Sequence, residues 1–382
     1  MFLGSDYKFL LLLLGMKGAT SDYACIWCKI LKLLRYDMAK PENFYWEENI
    51  RRTLDDIRAC CLKHEYSCER PPLLNIPVEN IILDELHLML RITDKLLDNL
   101  VKEALQRDYK ENRNKAPRDR QSLNLQNLVD TIRSCGVSFS VWEKLDADGR
   151  GSGVYDFTSL MGTDRKILLE KLPMKLDGVI GNSTSSVVIK IWKDFNHLYK
   201  DYIQRQNLTD ADVDIYFAKA QAWITLFLSL TGKLQGYGKT NITPYMHAMV
   251  YHAPKFMRIH QGIRHFSGQG VEKLNDDCRR VHLEKSNKWD AAKDVLLAEE
   301  RLRLLSNVRR TPRPYKKKAE EYWSTTIRES RSKRAQICNQ TAQAEDVEDQ
   351  SALTATELRS RLKDLGITTR VRNVQDYKTC II

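Results

Sequence analysis

SDYACIWCK (Ser21–Lys29) sets two cysteines, Cys25 and Cys28, around Ile26 and Trp27. A C-x-x-C pair is half of a tetrahedral zinc site, a redox couple, or two thiols packed in a core. If it is zinc, two more soft ligands must come from elsewhere. CCLKHEYSC offers Cys60, Cys61, His64 and Cys68 close by, and TPYMHAMVYHAPKF offers His247 and His252 far downstream. Spacing alone favours neither set. On an ideal helix, residues five apart point about 140° away from each other. His247 and His252 therefore need a bend or a helix end between them, and Pro254 can supply one.

The bulk composition fits a protein with a large core. The chain has 382 residues, 42% hydrophobic and 29% charged, with a net charge of +11 that points to a polyanionic partner such as nucleic acid. Its nine cysteines, an odd number with Cys60 and Cys61 adjacent, make a poor disulfide framework and suit metal binding in a reducing compartment. The apolar run Phe9–Leu14 is too short to span a bilayer and follows Asp6, so it reads as a buried strand over 7–14. Residues 41–70 read as polar helix, and the stretch from Pro77 to Leu105 as one long, largely buried helix. Further helices are expected over 186–206, 209–232, 243–260 and 270–305. DADGRGSGVYDF reads as a turn-rich loop lacking the closing glutamate of a calcium loop.

The C-terminal part is basic and then acidic. Between Arg301 and Arg334 basic residues outnumber acidic ones twelve to three, with Lys316, Lys317 and Lys318 in a row. This bias favours phosphate contact. NQTAQAEDVEDQ reads as a linker. Beyond it, Thr354 and Glu357 form a capping box, Leu358, Leu362 and Leu365 share one helix face, and Gly366 stops the helix. ELRSRLKDLGITTRVRN resembles the SAP module, a small DNA-binding helix-loop-helix. That resemblance implies phosphate contacts by Arg370 and Arg372.

A second resemblance covers roughly residues 4–305. The C-x-x-C, a long helical stretch, H-x-x-x-x-H and a glutamate twenty residues later occur in the order seen in Transib transposases and the V(D)J recombinase derived from them. SDYACIWC, ILDELH, GNSTSSVVIKIW, KTNITPYMHAMVYHAPKFM and FSGQGVEKLNDDCRR each resemble a segment of that family. The two resemblances together imply an α/β, predominantly α-helical fold with a partial RNase H-like core, a long helical insertion, and the small C-terminal helix-loop-helix. Its boundaries would be a strand remnant with the C-x-x-C over 1–30, the insertion over 31–235, the histidine and glutamate helices over 236–305, a basic segment and acidic linker over 306–350, and the SAP-like module over 351–382.

The same resemblance selects Cys25, Cys28, His247 and His252 as ligands of a structural Zn²⁺. It implies catalytic roles for Asp6 and Glu272, with Asp276 and Asp277 as substitutes and His87 near the pocket. Family chemistry uses three carboxylates to hold two Mg²⁺ or Mn²⁺ ions for DNA cleavage and strand transfer. The family's first aspartate lies upstream of the counterpart of Asp6, so the expectation is a truncated, inactive chain that keeps zinc and DNA binding. The alternative is a non-catalytic nuclear DNA-binding or scaffold protein domesticated from such an element. The expected partners are DNA and a second copy of the chain, with no membrane and no small-molecule substrate, and the expected location is the nucleus.

Overall fold

The computed structural model describes residues 2–286 and 288–306. Lys316, Lys317, Lys318, Arg370, Arg372 and the SAP-like module therefore lie outside the described residues, as does all but the first residue of 306–350. Grouped by contacts, the chain divides into Met1–Ala298 and Glu299–Ile382. The first unit holds the site discussed below.

The fold is mixed α/β, predominantly helical, with two small sheets. In chain order its elements are β1 (Leu3–Ser5), α1 (Tyr7–Leu13), α2 (Leu54–Lys63), β2 (Ile81–Leu83), α3 (Glu85–Asn112), α4 (Leu123–Arg133), β3 (Val141–Leu145), β4 (Gly151–Phe157), α5 (Gly162–Lys171), α6 (Ser185–Leu198), α7 (Asp210–Leu228), α8 (Pro244–Tyr251), α9 (Ala253–His260), α10 (Gln269–Arg280) and α11 (Ala291–Ser306). Strands β1 and β2 pair in parallel, Leu3 with Ile81 through Ser5 with Leu83. Strands β3 and β4 form a separate antiparallel hairpin. Helix α3 is the central member. Its residues Leu88, Met89, Ile92, Leu96, Leu97 and Leu100 are all buried, and it packs on α4, α5 and α8. Nearby, Phe195 of α6 lies 5.5 Å from Trp223 of α7, ring to ring, and Trp223 Nε1 donates to Ile191 O at 2.9 Å.

Several local expectations are corrected. The run over 7–14 is helix, not strand. Tyr7, Leu10, Leu11 and Leu14 are buried at helical spacing, while Phe9 and Leu12 are exposed. The strand lies just upstream, at Leu3–Ser5. The long helix starts only at Glu85, because Ile81–Leu83 are taken by β2 and Asp84 caps the helix, accepting from Leu86 N at 3.0 Å. Within 41–70 the one α-helix is α2. The turn-rich loop is the end of a hairpin, where Asp146 O accepts from Gly149 N. Among the described residues, no helix is long and apolar enough to cross a membrane.

Candidate metal centre

Three local structures build the centre. The cysteine loop is tied down by its neighbours. Tyr7 Oη donates to Ala24 O at 3.0 Å and accepts from Ile26 N at 3.1 Å, and Trp27 Nε1 donates to Ile81 O at 2.8 Å. On its other side the chain over Ile50–Arg52 runs alongside: Lys29 N donates to Ile50 O, and Arg52 N to Trp27 O. The histidines come from a broken helix. Thr243 caps α8, accepting from Met246 N, and the helix ends at His252, where α9 begins with Pro254 in its first turn. This break turns His252 back toward His247, and their ring centroids lie 5.1 Å apart.

The four side chains converge. Cys25 Sγ lies 3.2 Å from His252 Nε2, and Cys28 Sγ lies 3.3 Å from His247 Nε2. The four ligand atoms are all within 4.8 Å of one another, and all four residues are buried. Tetrahedral zinc with ordinary Zn–S and Zn–N bonds spaces such atoms roughly 3.3–3.8 Å apart. The donor set, two thiolates and two imidazoles, therefore fits Zn²⁺ and closes its coordination shell with protein atoms. Among the described residues no other group of three or more histidines, cysteines or carboxylates converges this way. The nearer rival set does not join in: Cys60 Sγ lies 3.9 Å from an Asp56 oxygen, and Cys68 Sγ accepts from Arg52 Nη1.

Electrostatics prepare the ligands. Burial pushes His247 down to about 4, which keeps the imidazole in its neutral, metal-binding form at physiological pH. Burial raises the Cys25 thiol, but the hydrogen bond from Cys28 and the nearby His252 outweigh that and hold it well below its ordinary value. Cys28 moves the other way, raised by burial and by its bond and proximity to Cys25. Neither His247 Nδ1 nor His252 Nδ1 has a hydrogen-bond partner among the described residues. Aromatic rings orient the imidazoles instead: Trp27 and Trp46 lie 5.1 and 5.0 Å from His252, and Tyr45 lies 4.8 Å from His247.

The expected catalytic pair is placed around a different pocket, of about 310 Å³, lined by Asp6, Asp84, His87, Gly268 and Glu272 among others. Asp6 follows β1 and Asp84 follows β2, so the two aspartates stand at the carboxyl ends of adjacent parallel strands, where ligands bind in open α/β sheets. Asp6 Oδ1 accepts from Tyr245 Oη at 3.3 Å. Glu272, on the first turn of α10, has Oε1 3.5 Å from His87 Nε2. Asp84 was not singled out in the sequence, although an aspartate directly after an apolar triplet and before a long helix was the available signal. Both its oxygens are engaged: Oδ1 accepts from Leu86 N and Gly268 N, and Oδ2 bonds His87 Nδ1. His87 is raised above its ordinary value; burial opposes this, and the bond to Asp84 outweighs it.

No three of Asp6, Asp84, His87 and Glu272 meet closely enough to share an ion. Asp276 and Asp277 pair along α10 with Arg279, and with Lys273 and Arg280. On α10, Leu274 is exposed and Cys278 only half-buried.

Compared with models of protein families and with curated proteins, the chain gives no match.

Proposed function

We propose that the chain is a zinc-stapled, DNA-binding relative of the Transib-type DDE transposases, with an RNase H-like ancestry, that binds DNA without cutting it. The observation that carries this reading is the convergence of Cys25 and Cys28 with His247 and His252, whose closest pairs lie 219 and 227 residues apart. Resemblance gave that ligand order, and it accounts for a closed site that joins both ends of the unit. Asp6 and Asp84 at neighbouring strand ends, with Glu272 across the pocket, support descent from a nuclease-type core.

The second reading is a domesticated, non-catalytic form, whose work is DNA binding by Lys316, Lys317, Lys318, Arg370 and Arg372 in the nucleus, as a dimer or alone. The test uses the full chain and a fluorescent duplex. Binding should weaken steeply as salt rises, by roughly a hundredfold or more between 50 and 200 mM if about five phosphates are contacted. Alanine at the five basic positions should reduce both affinity and salt slope, while Glu272→Gln should leave binding unchanged. Salt-independent binding, or none, overturns the DNA reading. Mg²⁺- or Mn²⁺-dependent nicking that Glu272→Gln abolishes overturns the non-cleaving part of it.

A further inference from the structure

Arg52 is a buried cation, 2% exposed, with no carboxylate paired to it among the described residues. Burying a guanidinium in this way is costly unless other groups take up its five N–H donors. Here Nε donates to both Cys25 O at 3.0 Å and Cys28 O at 3.2 Å. Nη2 donates to Tyr23 O at 3.0 Å and Tyr66 O at 2.8 Å, and Nη1 to Cys68 Sγ at 3.4 Å. The backbone N of the same residue donates to Trp27 O at 2.8 Å. One residue thus holds the carbonyls of Tyr23, Cys25, Trp27 and Cys28, most of the polar backbone of the C-x-x-C loop.

From this geometry we infer that Arg52 is the positioning residue of the metal centre: its guanidinium fork fixes the C-x-x-C loop so that both sulfurs face His247 and His252. The inference rests on the reading of those four residues as zinc ligands. The histidine half of the site is oriented by rings and has no hydrogen bond at Nδ1, so the outer polar support falls on the cysteine half. Lysine cannot reproduce it. An ammonium has no planar fork and cannot span Cys25 O and Cys28 O while also reaching Tyr23 O and Tyr66 O. Carbonyls held in this way also direct their dipoles onto the cation, which stands in for a carboxylate without placing a competing anion beside the thiolates.

The experiment compares the full-length chain with Arg52→Lys, Arg52→Met and Leu97→Ala, the last a buried core truncation in α3 well away in sequence from the ligands. Zinc affinity is read by competition with a chromophoric chelator. Site geometry is read from the thiolate-to-metal and d–d absorption bands of the Co²⁺-substituted protein. Both Arg52 variants should lose zinc affinity by ~10–100-fold, the range for an outer partner of a metal ligand, with shifted and weakened Co²⁺ bands. Leu97→Ala should lose stability yet keep its Co²⁺ spectrum. Should Arg52→Met fail to fold, Arg52→Lys, which keeps the charge and most of the volume, carries the test. Wild-type zinc binding with undiminished affinity and spectrum in Arg52→Lys overturns the inference alone. Equal affinity loss and the same spectral change in Leu97→Ala also overturn it, because the effect is then global. Absence of zinc from the wild-type chain overturns the inference together with the four-ligand reading.

Discussion

His252→Ala, or removal of the metal by a strong chelator, should cost the unit a large part of its stability. The Cys28–His247 contact closes a loop of 219 residues. Treated as a cross-link, a closure of that length removes about 5 kcal/mol of chain entropy from the unfolded state. Whole domains are stable by only about 5–15 kcal/mol, so the unlinked chain should sit close to its unfolding threshold. The assay is urea unfolding followed by tryptophan fluorescence. Trp27 and Trp46, within about 5 Å of the His252 ring, report on the centre directly. Apo protein and His252→Ala should show matching losses near 5 kcal/mol, and added Zn²⁺ should restore only the apo wild type. A loss under about 1 kcal/mol on complete zinc removal would refute the view that the metal binds distant parts of one core, because closure entropy alone exceeds that.

Three further outcomes follow from the geometry. Asp84→Ala leaves the buried N–H groups of Leu86 and Gly268 unpaired and should cost about 3 kcal/mol in urea unfolding, whereas Asp84→Asn keeps an acceptor oxygen and should cost clearly less. Gly15 has φ +67°, and an added Cβ would stand 2.0 Å from Arg70 O, so Gly15→Ala should lower the unfolding free energy by more than about 3 kcal/mol; a near-neutral result would contradict the clamp between Gly15 O and the amides of Glu69 and Arg70. Glu103 is raised by burial, although Gly181 N donates to its Oε1, and its Oε2 has no partner. The folded state then holds this proton more tightly than the unfolded one, so stability falls as pH rises from the ordinary carboxylate value, about 4.3, through the raised one. Glu103→Gln should flatten thermal stability against pH across that window, and an unchanged profile would remove Glu103 as its source.

What the sequence disclosed follows from where the information resides. The C-x-x-C at Cys25 and Cys28 was legible as half of a metal site, but spacing left its other half open between two sets, and only the resemblance selected His247 and His252. The break at His252 was legible through Pro254. The run from Phe9 to Leu14 was misread because six consecutive apolar residues have no period. Only packing decides that Leu10, Leu11 and Leu14 turn inward while Leu12 does not. Strand β2 was absorbed into the following helix because three residues are too few to show alternation, and its partner β1 lies about eighty positions away. Asp84 went unnoticed with it. Arg52 gave no signal at all, since its partners are main-chain carbonyls and one sulfur.

The metal centre and the carboxylate pocket are parts of one arrangement. Tyr245 lies on α8 two residues before His247, and its Oη accepts from Tyr7 N at 3.2 Å while donating to Asp6 Oδ1 at 3.3 Å. Tyr7, next to Asp6, reaches the other way and holds Ala24 O and Ile26 N, on either side of Cys25. Asp6 is therefore tied directly to the histidine helix through Tyr245, and through its neighbour Tyr7 to the cysteine loop, two segments that meet at the four ligands and where Trp27 packs on His252 and Phe256. Neither strand β1, three residues long, nor the first turn of α1 fixes that aspartate alone, since Asp6 makes no side-chain cap to its own helix. A cation bound by Cys25, Cys28, His247 and His252 would set the distance between the two segments, and with it the place of Asp6 in the pocket. On this account the zinc does no chemistry itself. It explains how a pocket assembled from residues 6, 84 and 272 can keep its shape while so little of the sheet beneath it is shared between strands.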